Sequence, residues 1–232
     1  MMLEARKISK TFNRKPILHE VDFALEPGQC LGVAGHNGSG KSTLLSIIAQ
    51  VLAPDAGEVL YEGASLSEDR SLAGAVLGYA PQENSLLDDL TVEETIAFWR
   101  RAYGLPRGGM FAPSSPASML GLEEIKKKRI ARLSGGMQKR VSIAIALLRQ
   151  PRLLLLDEAL SALDRNYRLA MESYMADFCR QGGGILYCSH EIGDLIALCS
   201  RILILRQGRI VFDGATREFP TEATALDVLL NP

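Results

Sequence analysis

Gly35-His36-Asn37-Gly38-Ser39-Gly40-Lys41-Ser42, followed by Thr43, is the stretch on which the fold of this chain turns. Just before it lies an apolar run, Cys30-Leu31-Gly32-Val33-Ala34, that reads as a buried strand. Just after it, Leu44-Leu45-Ser46-Ile47-Ile48-Ala49 opens a helix. Strand, glycine-rich loop and helix in that order make a cradle for phosphate. The glycines let successive backbone N–H groups turn into one concavity, and the helix adds its positive end at the same point. Lys41 supplies a full charge to the terminal phosphates. The Ser42 hydroxyl stands where a Mg²⁺ bridging those phosphates needs an oxygen.

Other strands end in chemistry of the same kind. Leu153-Leu154-Leu155-Leu156 runs into Asp157-Glu158, Val76-Leu77-Gly78-Tyr79-Ala80 into Pro81-Gln82, and Ile185-Leu186-Tyr187-Cys188 stops just short of His190. In a sheet built around a phosphate loop such strand ends face the ligand. Asp157 suits the Mg²⁺ shell, and Glu158 can orient and deprotonate an attacking water. The His190 imidazole can hydrogen-bond a terminal phosphate.

Ser134-Gly135-Gly136-Met137-Gln138 precedes Val141, Ile145 and Leu148 at helical spacing, so Ser134 is an N-cap and a second anion-friendly helix start. Between 84 and 132 the pattern is that of a helical insertion. Thr91 with Glu94 forms a capping box, and Val92, Ile96, Trp99 and Tyr103 recur on one face, where Trp99 serves either core or contact. Residues 104–118 are rich in Pro, Gly and Ser and read as a loop; Lys126-Lys127-Lys128-Arg129 reads as a solvated face. At the start, residues 3–8 and 17–25 have strand spacing around an Asn13-Arg14-Lys15 turn, a small antiparallel layer resumed by Glu58-Val59-Leu60-Tyr61. Phe12 sits at that turn, either covering core or stacking on a base. Residues 202–205 and 209–213 form a hairpin across Gln207-Gly208, and a short tail closes the chain.

The 232 residues, 47% hydrophobic, suit one large α/β domain. A formal net charge of −1 gives no overall positive field, so no nucleic-acid partner is expected. The four cysteines include no CxxC pair and the three histidines no ligand spacing, which predicts reduced, mostly buried thiols in a cytoplasmic protein. Cys188 near His190 reads as core rather than a metal site. No charge-free apolar run approaches the ~18 residues that span a bilayer, and Met1-Met2-Leu3-Glu4 does not open a signal peptide.

In this order, the phosphate loop, Gln82, Leu133-Ser134-Gly135-Gly136-Met137-Gln138, Asp157-Glu158, Ser161-Ala162-Leu163-Asp164 and His190 resemble the ATP-binding cassette (ABC) ATPase family, over residues 3–214. The resemblance implies an α/β fold: a P-loop NTPase core with a mixed sheet, a small antiparallel β subdomain and a helical ABC subdomain. Residues 1–232 would form a single domain, with the core at about 1–83 and 133–214, the helical subdomain at about 84–150 and a short tail at 215–232. ATP and Mg²⁺ are the implied ligands. Phe12 resembles the aromatic that stacks on adenine. Gly35, Asn37, Gly38, Ser39, Gly40, Lys41, Ser42 and Thr43 resemble the Walker A loop. Ser42, Gln82 and, through water, Asp157 would hold the metal. Glu158, His190 and Gln82 resemble the catalytic set, and Asp164 belongs to a D-loop. Ser134, Gly135, Gly136 and Gln138 resemble the signature that faces the γ-phosphate of nucleotide on a second cassette, in a homodimer or heterodimer.

What the resemblance implies about function is ATP-driven dimer closure that powers transport through a separate transmembrane permease, received by residues 86–103. The cassette would be cytoplasmic and peripheral on the cytoplasmic face of the membrane. Leu90-Thr91-Val92-Glu93-Glu94-Thr95 and the short tail resemble cassettes of exporters. The alternative is a soluble, non-transport ABC ATPase, for example in cofactor assembly. The sequence departs from the family pattern in three places. Ala159-Leu160 replaces Pro-Thr and leaves the D-loop path open, Phe12 stands where Tyr is frequent, and residues 104–118 lack the usual helical pattern.

Overall fold

The computed structural model describes residues 1–106 and 108–219. In chain order the elements are β1 (Leu3–Phe12), β2 (Lys15–Leu25), β3 (Cys30–Ala34), α1 (Lys41–Ile48), β4 (Ala56–Tyr61), β5 (Ala64–Ser65), α2 (Arg70–Val76), β6 (Leu77–Ala80), α3 (Val92–Ala102) and α4 (Pro116–Met119). They continue with α5 (Gly135–Leu147), β7 (Leu153–Asp157), α6 (Arg165–Arg180), β8 (Gly184–Cys188), α7 (Ile192–Leu198), β9 (Arg201–Arg206) and β10 (Arg209–Ala215).

Two sheets form. One is antiparallel, in the order β2-β1-β4-β5; the other has six strands in the order β10-β9-β3-β8-β7-β6. Within the second, β3 runs parallel to β8 and β9, and β7 runs parallel to β8 and β6, while β10 turns back on β9. The phosphate-loop strand β3 is therefore central. The leucine run explains why: strands buried on both faces read as continuous apolar stretches. Leu153 and Leu155 join the apolar cluster under the antiparallel sheet and α1, whereas Leu154 and Leu156 join the cluster that includes α5 and α6.

The helical insertion keeps its expected start. Thr91 accepts from the Glu94 N–H, and the Glu94 carboxylate accepts from the Thr91 N–H at 2.8 Å, closing the capping box. The described residues of 104–118 form a loop as expected, except at the end. There the Ser115 hydroxyl accepts from the Ser118 N–H and Pro116 pre-sets the first turn of α4. Trp99 is half-buried between Phe98 and Tyr103, their ring centroids 5.7 and 5.5 Å away, while Phe98 and Leu87 are exposed. Helix α5 packs on both α3 and β6, joining the insertion to the core.

At the chain's end β10 runs through Ala215, and Phe219 is buried edge-on against Phe212. The rest of the expected tail, 220–232, lies outside the described residues. Cys30 and Cys199 are buried with their sulfurs 3.4 Å apart, and Cys188 is fully enclosed, which pushes its thiol pKa up. Among the described residues no group of three or more His, Cys, Asp or Glu is arranged to hold a metal, and no helix is long and apolar enough to cross a membrane.

Candidate functional site

The ends of β3, β7 and β8 and the segment after β6 deliver their side chains to one edge of the six-stranded sheet. Helix α1 begins there without any side-chain cap. Gly40, at φ 108°, occupies the capping position, and a Cβ on it would sit 2.8 Å from Leu18 Cδ2 and 3.0 Å from the Ile17 carbonyl. The first N–H groups of α1 are left to whatever anion enters. Lys41 is only 6% exposed and arches back over the loop, donating to the carbonyls of Gly35 at 2.6 Å and His36 at 3.0 Å. The Ser39 hydroxyl is buried with no hydrogen-bond partner. Over the loop lies a cavity of ≈ 310 Å³, walled by Gly35, His36, Asn37, His190 and Ile192.

Beside this cavity stands Asp157, 1% exposed, neither of its carboxylate oxygens having a hydrogen-bond partner. Burial raises its pKa above the usual carboxylate range, while the nearby Ser42 hydroxyl and the Lys41 and Lys139 ammonium groups pull it back. The Ser42 hydroxyl donates to Gln82 Oε1 at 3.3 Å. Serine, glutamine and an orphaned buried carboxylate make an all-oxygen set, the donor chemistry of a hard divalent cation. Phosphate oxygens would fill the remaining positions.

Glu158 takes a left-handed backbone, φ 49°, which is costly for a residue with a Cβ. Its N–H donates to the Cys188 carbonyl at 3.0 Å, and its Oε2 lies 3.0 Å from His190 Nδ1. The pairing brings the acid at the end of β7 and the imidazole past β8 to the cavity mouth together. The sequence puts both at the ligand edge and does not show that they meet. Phe12 is 43% exposed, with the Lys10 ammonium 5.5 Å from its ring centre, and it belongs to neither apolar cluster. Of its two readings, core cover is thereby removed.

The second expected anion site is built differently. The Ser134 hydroxyl accepts from the Met137 N–H at 3.3 Å, so α5 is capped, and Ser134 and Gly135 face solvent. Among the described residues no hydrogen bond joins Ser134 to Gln138 with the phosphate loop. Gln138 turns inward instead, its Nε2 donating to the Ile130 carbonyl at 3.2 Å. Asp164 is exposed at the start of α6 and makes no capping bond. The D-loop path left open by Ala159-Leu160 is a tight turn: both residues are buried, the Ser161 hydroxyl donates to the Glu158 carbonyl at 2.9 Å, and the Leu163 N–H donates to Leu160 at 3.1 Å.

Two participants escaped the sequence. Ile192 walls the cavity with His36 of the phosphate loop, and Lys139 on α5 donates to the carbonyls of Pro81 at 2.6 Å and Gln82 at 2.7 Å. Burial lowers the Lys139 pKa, against the attraction of Asp157 and Glu158. A lysine among residues 134–140 looks like surface in a linear reading. Nothing local says that its tip reaches a loop more than fifty positions away.

A nucleoside-triphosphate site of this form, together with an exposed serine-glycine helix start elsewhere on the chain, defines a class of ATPase. The family model for ABC transporters matches residues 18–161. The linearmycin resistance ATP-binding protein LnrL of Bacillus subtilis (strain 168) is 34% identical over 216 residues, covering 92% of this chain and 69% of LnrL. A solved ATP-binding subunit of an ABC transporter superposes with a TM-score of 0.86 at 28% identity, covering 99% of this chain and 98% of that one. A dimeric ATP-binding cassette in a post-hydrolysis state, bound to ADP and Pi, gives a TM-score of 0.82 at 25% identity, covering 94% of this chain and 100% of that one. This chain belongs to the ABC transporter family, with the P-loop NTPase fold. It is an ATP-binding, ATP-hydrolysing transporter subunit of that family.

Proposed function

We propose that this chain powers a separate transmembrane permease by closing as a dimer around two ATP molecules, each held by the phosphate loop of one copy and the signature of the other. The observation that carries the reading is the contrast at the site. Phosphate-binding and acid–base groups converge on one cavity, while Ser134 and Gly135 are turned to solvent, where only another molecule can use them. Phe12 would stack on the adenine, and the loop N–H groups with Lys41 would hold the phosphates. Ser42, Gln82 and Asp157 would hold Mg²⁺, which when bound neutralises charge on the phosphate oxygens.

Glu158 is the general base. Its carboxylate, held by His190, takes the proton of the attacking water, and the imidazole keeps the carboxylate aimed at the γ-phosphate. Closure of the dimer excludes bulk water from this step, and opening after hydrolysis delivers the conformational stroke. The permease would rest on the helical insertion, where Leu87 and Phe98 are exposed. The cassette would then sit on the cytoplasmic face of the membrane. Export is the proposed direction, supported by the Leu90-to-Thr95 run and by a relative named for resistance.

The test is Glu158→Gln. Hydrolysis falls on the order of 10²–10⁴-fold, as loss of a general base requires, while ATP binding persists and an ATP-bound dimer accumulates. Near-normal turnover would remove Glu158 from this role. Recovery of the tagged variant from membranes with a multi-spanning protein supports the transport reading; recovery with soluble partners alone contradicts it.

A further inference from the structure

Lys139 is the least expected charge in the molecule. It is 3% exposed, one turn beyond the start of α5, and among the described residues no carboxylate lies within ion-pairing distance of it. Its ammonium is held by two backbone carbonyls, those of Pro81 and Gln82, at 2.6 and 2.7 Å. Taking an ammonium out of water is expensive, and an apolar side chain would fill this place at far lower cost. A buried charge here therefore serves something other than packing.

What it grips is the backbone of the residue whose side chain reads the phosphate site. Gln82 Oε1 accepts from Ser42, the residue next to Lys41 at the start of α1. What carries Lys139 is the helix whose first residues are the exposed signature. From Lys139 to Leu147 every residue of α5 is buried, so this part of the helix is firmly seated. Its far end is pressed onto β6, where a Cβ at Gly78 would come within 2.4 Å of the Ala146 carbonyl. At the near end the helix is held by Gln138 on the Ile130 carbonyl and by Lys139 on the segment after β6. A displacement of Gln82 reaches the signature most directly through Lys139.

We infer that Lys139 is a positioning residue that ties Gln82 to the signature helix, so that the site a cassette builds around its own nucleotide and the site it completes in its partner respond together. The inference rests on the shared-site reading proposed above. Occupancy at Ser42 and Gln82 shifts the Gln82 backbone, the clasp tilts the turn of α5 ahead of Lys139, which lies outside the seated part of the helix, and Ser134 and Gly135 are presented to the second nucleotide. The coupling is a free energy between two sites and is reciprocal.

The experiment is the ATPase rate of the full chain against ATP concentration, with equilibrium binding of a fluorescent ATP analogue, for the wild type, Lys139→Met and Lys139→Arg. The wild type is expected to show a steep dependence, with a Hill coefficient approaching about 2 for two coupled sites. Lys139→Met brings that coefficient to about 1 while analogue affinity stays within about twofold. Lys139→Arg keeps the steepness, because a guanidinium can span both carbonyls. Should the Met variant not fold, Lys139→Gln, which keeps a donor without the charge, is expected to give an intermediate coefficient. Wild-type steepness in the Met or Gln variant overturns the inference and leaves the shared site standing. A wild type with no steepness and no ATP-dependent dimer overturns both. Loss of analogue affinity in step with loss of rate would make Lys139 part of the scaffold only.

Discussion

Two helices of this protein begin at glycine-rich, anion-friendly turns, and they begin in opposite ways. Helix α1 starts at a left-handed glycine, has no side-chain cap, keeps its lysine buried and is roofed by a cavity with His190 on its wall. Helix α5 starts at a serine that satisfies its own Met137 N–H, and Ser134 and Gly135 lie in solvent while Gly136 is half-buried against the Ala162 carbonyl. The first start has everything a phosphate needs within one chain. The second is complete as local structure and unemployed as a binding site until something docks on it.

The sharpest way to break this contrast is Ser134→Arg. A bulky cation at the exposed start should block closure and lower the ATPase rate by on the order of 10²-fold, the scale of losing a donor aimed at developing charge. Binding of a fluorescent ATP analogue to the isolated chain should not change. Reduced analogue affinity would mean that Ser134 serves its own chain's nucleotide and that the contrast is wrong.

Lys41→Ala acts on the other start and should do the reverse, weakening nucleotide binding itself by roughly 10- to 100-fold through loss of charge-assisted hydrogen bonds. Unchanged affinity in a titration would contradict the assignment. The smallest effects compare the two sets of glycines. Gly40→Ala forces a Cβ against Leu18 and the Ile17 carbonyl at φ 108°, and should cost roughly 1–3 kcal/mol in denaturant unfolding. Gly135 has no heavy atom within 4 Å of a built Cβ, so Gly135→Ala should leave stability within about 0.5 kcal/mol or raise it. Equal losses in the two variants would erase the distinction.

The same contrast marks how far the sequence could be read. Whatever is decided within a few residues was legible: the turn glycines of the loop, the capping box at Thr91 and Glu94, the serine cap of α5, the leucine run of β7 and the hairpin at Gln207-Gly208. These depend on local backbone chemistry and burial period. What was not legible is which distant positions meet. His190 on Glu158 and Lys139 on Pro81 and Gln82 follow from the strand order β10-β9-β3-β8-β7-β6, which no local pattern encodes. The helix at Pro116–Met119 sits between these cases. Its signals, Ser115 and Pro116, were present but submerged in a stretch that composition alone reads as loop.

The left-handed backbone at Glu158 carries a consequence for heat tolerance. A non-glycine residue in that region stores about 1–3 kcal/mol, a sizeable share of what holds a domain folded. Here the tension sits at the residue whose carboxylate pairs with His190 on the cavity wall, fastened by the Cys188 carbonyl on one side and the His190 ring on the other. Relaxing that residue in a hardier version of this chain would let its side chain swing away. The temperature at which the protein melts and the aim of its reacting group are set, in part, by the same pair of torsion angles.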